Sequence, residues 1–202
     1  MRNYKKIILI IVEGPADDEA LSLPLTQIFS NSTVRVEIMH GDITTDYGSN
    51  SSNIVKKIHD RIKSFLNNNH FLKSDIEKII HITDTDGTFI PEENIILDPA
   101  INRFIYSENN IKTNNKNNVI NRNKQKASCL RQLIRTSKIG GIQYNIFYMS
   151  CNLDHVLFNR LNLTDSDKEN LSIQFAINCQ NGKIDFASFI VDPQIAVSGN
   201  YR

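Results

Sequence analysis

The chain has 202 residues, with 23 Lys+Arg against 22 Asp+Glu and 40% hydrophobic residues. That is enough for one generous domain with an appendage, and a net charge of +1 gives no whole-chain pull toward nucleic acid or membrane surfaces. No stretch approaches the ~20 apolar residues of a membrane span. The apolar run 7–12 is too short for a secretory leader, and three scattered cysteines (Cys129, Cys151, Cys179) suit a reducing cytoplasm better than a disulfide framework.

Residues 7–12, Ile-Ile-Leu-Ile-Ile-Val, predict a strand buried on both faces and so central in a largely parallel sheet. The run breaks at Glu13-Gly14-Pro15. Asp17, Asp18 and Glu19 then fall in the first turn of a helix predicted to reach about Phe29, where carboxylates favour the helix dipole. Residues 33–39 alternate apolar and polar side chains and predict a second strand, followed by a polar loop over 41–50. Ser51 and Ser52 are candidate caps for a helix whose Ile54, Val55, Ile58, Ile62, Phe65 and Leu66 recur at helical spacing.

Residues 76–83 predict a third strand, ending at Asp84-Thr85-Asp86-Gly87. Residues 106–123 are dominated by Asn and lack apolar periodicity, so they predict a loop or insertion. A helix is predicted to resume near Lys124 and close at Gly140 and Gly141. A fourth strand (144–149) and a helix over 153–161 follow, with Asp154 and His155 in the helix's first turn; 173–177 and 186–191 are open between strand and helix. The alternation predicts an α/β fold with an open, mainly parallel sheet flanked by helices. Residues 1–160 form the domain, with a basic Asn/Lys-rich insertion at about 106–126, and 161–202 extend it.

The chemistry rests on acids at strand ends. Ligands in open α/β sheets bind beyond the carboxyl ends of strands, so Glu13, Asp84 and Asp86 fall where one crevice can hold them. Aspartates at i and i+2 on a strand are expected to project to one side. Clustered carboxylates repel one another and raise a pKa, and a hard divalent cation such as Mg²⁺ or Mn²⁺ relieves that repulsion. Such an ion also suits phosphate-ester chemistry. The structural alternatives are an Asp-rich turn for 84–87, an ordinary turn residue for Glu13, and helix-start acids for Asp17, Asp18 and Glu19.

Val12-Glu13-Gly14 followed by Asp84-Thr85-Asp86-Gly87 resembles the TOPRIM domain of topoisomerases, bacterial primases, small maturases of ribosomal RNA and OLD-type nucleases. The resemblance covers roughly residues 5–155 and implies a TOPRIM-like sheet that binds Mg²⁺ or Mn²⁺. Asp84 and Asp86 would be metal ligands, and Glu13 a ligand or general acid/base. The segment from Ser150 to Asp154 resembles the Ser-x-x-x-(Glu/Asp) stretch of TOPRIM proteins in phage-defence systems, which implies Asp154 as a further ligand. A chain of 202 residues lacks room for a topoisomerase's tyrosine-bearing domain or a primase's zinc module. The implied activity is that of a small nuclease cutting DNA or RNA, working in antiviral defence as a homodimer or with a protein partner.

Two other classes stay open. Residues 82–89 also resemble the first motif of haloacid-dehalogenase-type phosphatases, which implies Asp84 as covalent nucleophile, Asp86 as general acid/base and Ser150 as the second motif. Against this, two strand–helix units precede the motif, and no Gly-Asp-x-x-x-Asp or Asp-Asp pair lies downstream. The third class is a non-catalytic binding or regulatory module. Between Glu108 and Asp154 there is no acidic residue, whereas eight Lys or Arg lie there, which is the pattern phosphate-backbone binding requires. Lys124, Lys126, Arg131 and Arg135 are the candidate contacts. His81 is expected in the core, and His155 is a candidate proton carrier if it faces the crevice.

Overall fold

Every side chain from Ile7 to Val12 in strand β1 (Lys6–Val12) is buried, and the two faces of this strand organise the rest of the molecule. The computed structural model describes residues 6–30 and 34–195. Alternation along a strand sends Ile7, Leu9 and Ile11 to one face and Ile8, Ile10 and Val12 to the other, and each set seeds its own apolar layer. At roughly 1.5–3 kcal/mol per buried aliphatic side chain, this strand is a main source of cohesion.

After β1 come α1 (Pro15–Ile28), β2 (Val34–His40), α2 (Ile54–Asn68) and β3 (Ile76–Asp84). Three short strands follow, β4 (Ile95–Leu97), β5 (Ile105–Tyr106) and β6 (Ile111–Thr113), and then a long helix, α3 (Lys116–Ile134). The chain continues through β7 (Lys138–Ile139), β8 (Ile142–Met149), α4 (Leu153–Phe158), α5 (Asp165–Gln180) and α6 (Phe186–Val191). The main sheet has the order β2-β1-β3-β8-β7. Its first four strands are parallel, and β7 joins antiparallel to β8. The fold is therefore α/β, with a mixed, mostly parallel sheet flanked by helices. A second sheet, β4-β6-β5, stands apart from it.

Helices α2 and α3 cover the face of Ile7, Leu9 and Ile11. The four-residue spacing of Ile54, Ile58, Ile62 and Leu66 lays one buried row of α2 on the sheet, joined by Cys129 and Leu133 of α3. The opposite face, with Ile8, Ile10 and Val12, is covered by Ala20 and Leu21 of α1, Phe175 and Cys179 of α5 and Phe186 of α6. Helices α5 and α6, which follow residue 160, are thus part of the core. Because β2 and β3 flank β1 on opposite sides, the strand order reverses at β1 and β3. The ligand crevice of an open α/β sheet, beyond the carboxyl ends of its strands, falls at this switch point.

Several boundaries differ from expectation. The Asn-rich stretch is ordered. Residues 105–113 belong to the small sheet, and α3 begins at Lys116, eight residues before Lys124, with the Asn115 side chain capping it by accepting from the Asn118 N–H at 3.0 Å. Its apolar period was hidden because buried positions of α3 carry Asn123 and Lys126 among Val119, Ala127, Leu130 and Leu133. The helix ends at Ile134, and Gly140 and Gly141 instead turn the β7–β8 hairpin. Asn53, rather than Ser51 or Ser52, precedes α2 as its cap residue, and 173–177 and 186–191 are helical. Thr33 lies outside the described residues. Among the described residues no helix is long and apolar enough to cross a membrane.

The turn after β3 is tightly constrained. Asp86 and Gly87 both have left-handed backbones, φ 48° and 64°. An added Cβ at Gly87 would lie 2.9 Å from Ile111 Cδ1 of the small sheet. Gly87→Ala is expected to cost about 1–2 kcal/mol from backbone strain alone, and more from the contact with Ile111. Urea denaturation checks this; an unchanged midpoint would show that the turn relaxes freely.

Candidate active site

The crevice gathers acids from four segments, and the alternation of the strands decides which way each one faces. Glu13 continues the odd-numbered face of β1 and lies across the end of β3. Its Oε1 accepts hydrogen bonds from the Thr83 hydroxyl at 2.6 Å and from the Asp84 backbone N–H at 2.9 Å. Asp84, the last residue of β3, points to the other layer, where its Oδ1 accepts from the Leu153 N–H at the start of α4 at 3.1 Å. Asp86 is past the strand, in the left-handed turn, and its carboxylate returns to the side of Glu13. The expectation that Asp84 and Asp86 project to one side therefore fails: the i, i+2 rule holds for extended backbone, and the chain turns between them. The turn is pinned by Asp86 N–H donating to Cys151 O at 2.6 Å, Thr85 N–H to Met149 O at 3.1 Å and Cys151 N–H to Thr85 Oγ1 at 2.9 Å.

The charge that balances Glu13 and Asp86 is Lys126. Its side chain is 0% exposed, and its ammonium donates to Asp86 Oδ2 at 2.6 Å and to the two Glu13 oxygens at 3.1 and 3.3 Å. As a surface contact for a phosphate backbone, Lys126 is thus a correction: it points into the site, whereas Lys124, Arg131 and Arg135 are exposed. Burial alone would lower its pKa, but Glu13, Asp86 and Asp42 together hold it above its ordinary value, so it stays an ammonium ion.

Asp42, from the loop after β2, is a member that the sequence did not single out. Burial would raise its pKa, yet Lys126 and the hydroxyls of Thr45 and Thr44 hold it below the ordinary value. A second group lies on the far side of Asp84. Asp154, buried, is paired with Lys168 of α5 at 2.8 Å. Asp17 accepts from the Gly14 N–H at 2.9 Å, and its pKa is raised by burial and by Asp154. Asp17 thus serves the helix start and the cluster together. Asp18 lies 3.9 Å from His40, and Glu19 is exposed.

One lysine on each side does not neutralise this many acids, and the carboxyls show it. Glu13 is raised to about 7, first by burial, with Asp42 and Asp86 adding to it against the opposing pull of Lys126. Asp84 is held well above the carboxylate range by burial and by Glu13, Asp86 and Asp17. Cys151 is pushed up to about 12 by burial and the same aspartates, so it is no thiolate nucleophile. His81 is buried against the Tyr144 hydroxyl at 2.8 Å, and burial pushes it down to about 4: it is a neutral core residue. His155 lies partly exposed, its Nδ1 3.4 Å from Ser150 O.

A band of polar residues on α3 holds the crevice together. Arg122 donates to Asp86 O at 2.7 Å and to the Tyr106 hydroxyl at 2.8 Å, with its guanidinium 5.0 Å from the Phe104 ring centre. Asn123 donates to Gly87 O at 3.3 Å, and Gln125 to Thr44 O at 3.1 Å and Asp46 O at 2.9 Å. Among the described residues, no group of three or more His, Cys, Asp or Glu side chains is disposed to hold a metal ion as they stand. The donors themselves are hard oxygens, the type that suits Mg²⁺ or Mn²⁺, and they carry an excess of negative charge. Compared with known protein families, curated proteins and solved structures, the chain matches none.

The charge balance has a pH signature. Glu13's folded pKa lies above its ordinary value of 4.5, so its contribution to stability is complete below that value and is lost as pH rises through about 7. Lys126→Met removes the opposing charge and is expected to cost about 3–5 kcal/mol near pH 8 but clearly less near pH 5, where the carboxyls take up protons. Denaturant titrations in EDTA measure both. An equal loss at the two pH values would show that Lys126 is not what balances the acids.

Proposed function

We propose that this chain is a divalent-metal-dependent nuclease of TOPRIM type, cleaving phosphodiester bonds of DNA or RNA. The observation that carries the reading is the direction of Glu13: its carboxylate lies on the Asp84 N–H and shares Lys126 with Asp86. A glutamate from β1 that lies against the end of β3, on the Asp84 backbone and beside the Asp86 carboxylate, is the arrangement we take to favour strand scission by a TOPRIM-like site. A phosphatase with Asp84 as nucleophile and Asp86 as acid/base has no use for it.

The donor set fits the metal in chemistry. Glu13, Asp84 and Asp86 would hold the ion, sharing Glu13 and Asp86 with Lys126, and Asp154 would stand by on the Asp84 side. When bound, the ion would supply a Lewis acid for a phosphoryl oxygen and lower the pKa of a water. The chain's own groups account for the remaining requirements. Glu13, raised to about 7, can hold or release a proton at its carboxylate near neutral pH. Lys126 offers a fixed positive charge within the crevice, where low dielectric makes it count for more than in water. Exposed Lys124, Arg131 and Arg135 lie along α3 at i, i+7 and i+11, a spacing that places them on one side of the helix to meet a phosphate backbone. The cytoplasmic setting belongs to the same proposal and rests on the three scattered cysteines; a role in antiviral defence and a homodimer or protein partner rest on the resemblance alone.

Glu13→Gln and Asp84→Asn are each expected to lower Mg²⁺- or Mn²⁺-dependent cleavage of single- or double-stranded substrates by roughly a hundredfold or more, with far-UV dichroism unchanged. Cleavage at the wild-type rate by both variants would overturn the reading. The phosphatase alternative has its own signature, a phosphoryl group trapped on Asp84 after incubation with a small phosphomonoester.

A further inference from the structure

Beyond the turn that carries Asp86, the chain forms one wall of a cleft of about 420 Å³. Thr88, Phe89, Ile90 and Pro91 make this wall, and α3 faces it with Ile120, Asn123, Ala127 and Arg131. The volume falls within the range of small-ligand pockets, roughly 300–1,000 Å³. Three features describe what it would take. Phe89 is half-buried, and the Arg131 guanidinium lies 5.9 Å from the centre of its ring, so the wall has an aromatic surface bordered by a planar cation. The lining mixes apolar side chains (Ile90, Ile120, Ala127) with polar ones (Asn123, Lys124, Arg131). At the mouth Lys124 pairs with Glu92 at 2.9 Å, setting further charge at the rim.

We propose that this cleft is a base-binding subsite for an unstacked nucleobase of a single strand whose phosphate lies at the carboxylates. The proposal rests on the nuclease reading for the position of that phosphate. A flat ligand with polar edges, joined to an anionic group, matches an aromatic wall with a guanidinium beside it and polar side chains among the apolar ones. Phe89 is three residues from Asp86, a chain distance of at most about 11 Å, so a base next to the bound phosphate is within reach. The same helix serves both places: Lys126 faces the acids, and Asn123, Ala127 and Arg131 face the cleft.

The test compares a labelled short single-stranded oligonucleotide with an otherwise identical strand lacking its central bases. Binding is read by fluorescence anisotropy in EDTA and again in Ca²⁺. The wild-type chain is expected to prefer the intact strand by about tenfold or more. Phe89→Ala and Phe89→Leu should bring that preference close to one, the second while keeping the apolar side chain that supports the fold. Equal binding of both strands by the wild-type chain, no binding of either, or a full preference retained by both Phe89 variants would overturn the subsite. Cleavage plays no part in this readout. A chain that prefers the intact strand yet cuts nothing in Mg²⁺ or Mn²⁺ keeps the subsite and loses the nuclease reading. One that cuts but binds both strands alike keeps the nuclease reading and loses the subsite.

Discussion

The contact on which the rest of this structure depends is the buried ammonium of Lys126 between Glu13 and Asp86. Isolated charges are not buried without partners, since the loss of hydration would cost several kcal/mol for each. Here the acids come from β1 and from the turn after β3, and the counter-charge comes from α3. The three segments are therefore held at the crevice by one electrostatic requirement. Arg122, Asn123 and Gln125 extend the same requirement to the backbone, each donating to carbonyl oxygens of the loops around the site.

The balance is incomplete, and that is what gives the site its chemical character. With Lys126 on one side and Lys168 on the other, Asp84 lies between two acidic groups, and both it and Glu13 are raised from their ordinary values. A carboxyl that titrates near neutrality and an excess of buried acids over lysines are properties that cluster at functional sites. They follow here from burial and from the number of acids, with the strand ends of an α/β sheet supplying the place.

How far this could be read from the residues depended on where the information lay. The run 7–12 announced a central strand because β-branched residues buried on both faces leave no polar alternation, and Glu13 and Asp84 were placed correctly at strand ends. The helix α3 was half missed. Its buried face carries Asn123 and Lys126, so the apolar period that identifies a helix is interrupted where the site needs polar groups. A lysine buried by partners 113 and 40 residues away in sequence looks the same, locally, as one in a solvated loop. Asp42 and Lys168 were invisible for the same reason, as nothing near them in the chain states what they will face. The one local hint for Lys126 is its place in an acid-free segment opposite two acidic strand ends, a pattern that a solvated basic surface shares.

The central claim is that Glu13, Asp84 and Asp86 form one cation-seeking site at the carboxyl ends of β1 and β3. Anomalous diffraction at the manganese edge, from crystals soaked in Mn²⁺, tests it most directly. The account predicts a peak within bonding distance of Asp84 and at least one of Glu13 and Asp86. Crystals showing no peak there, with Lys126 still bridging Glu13 and Asp86 at high Mn²⁺, would contradict it.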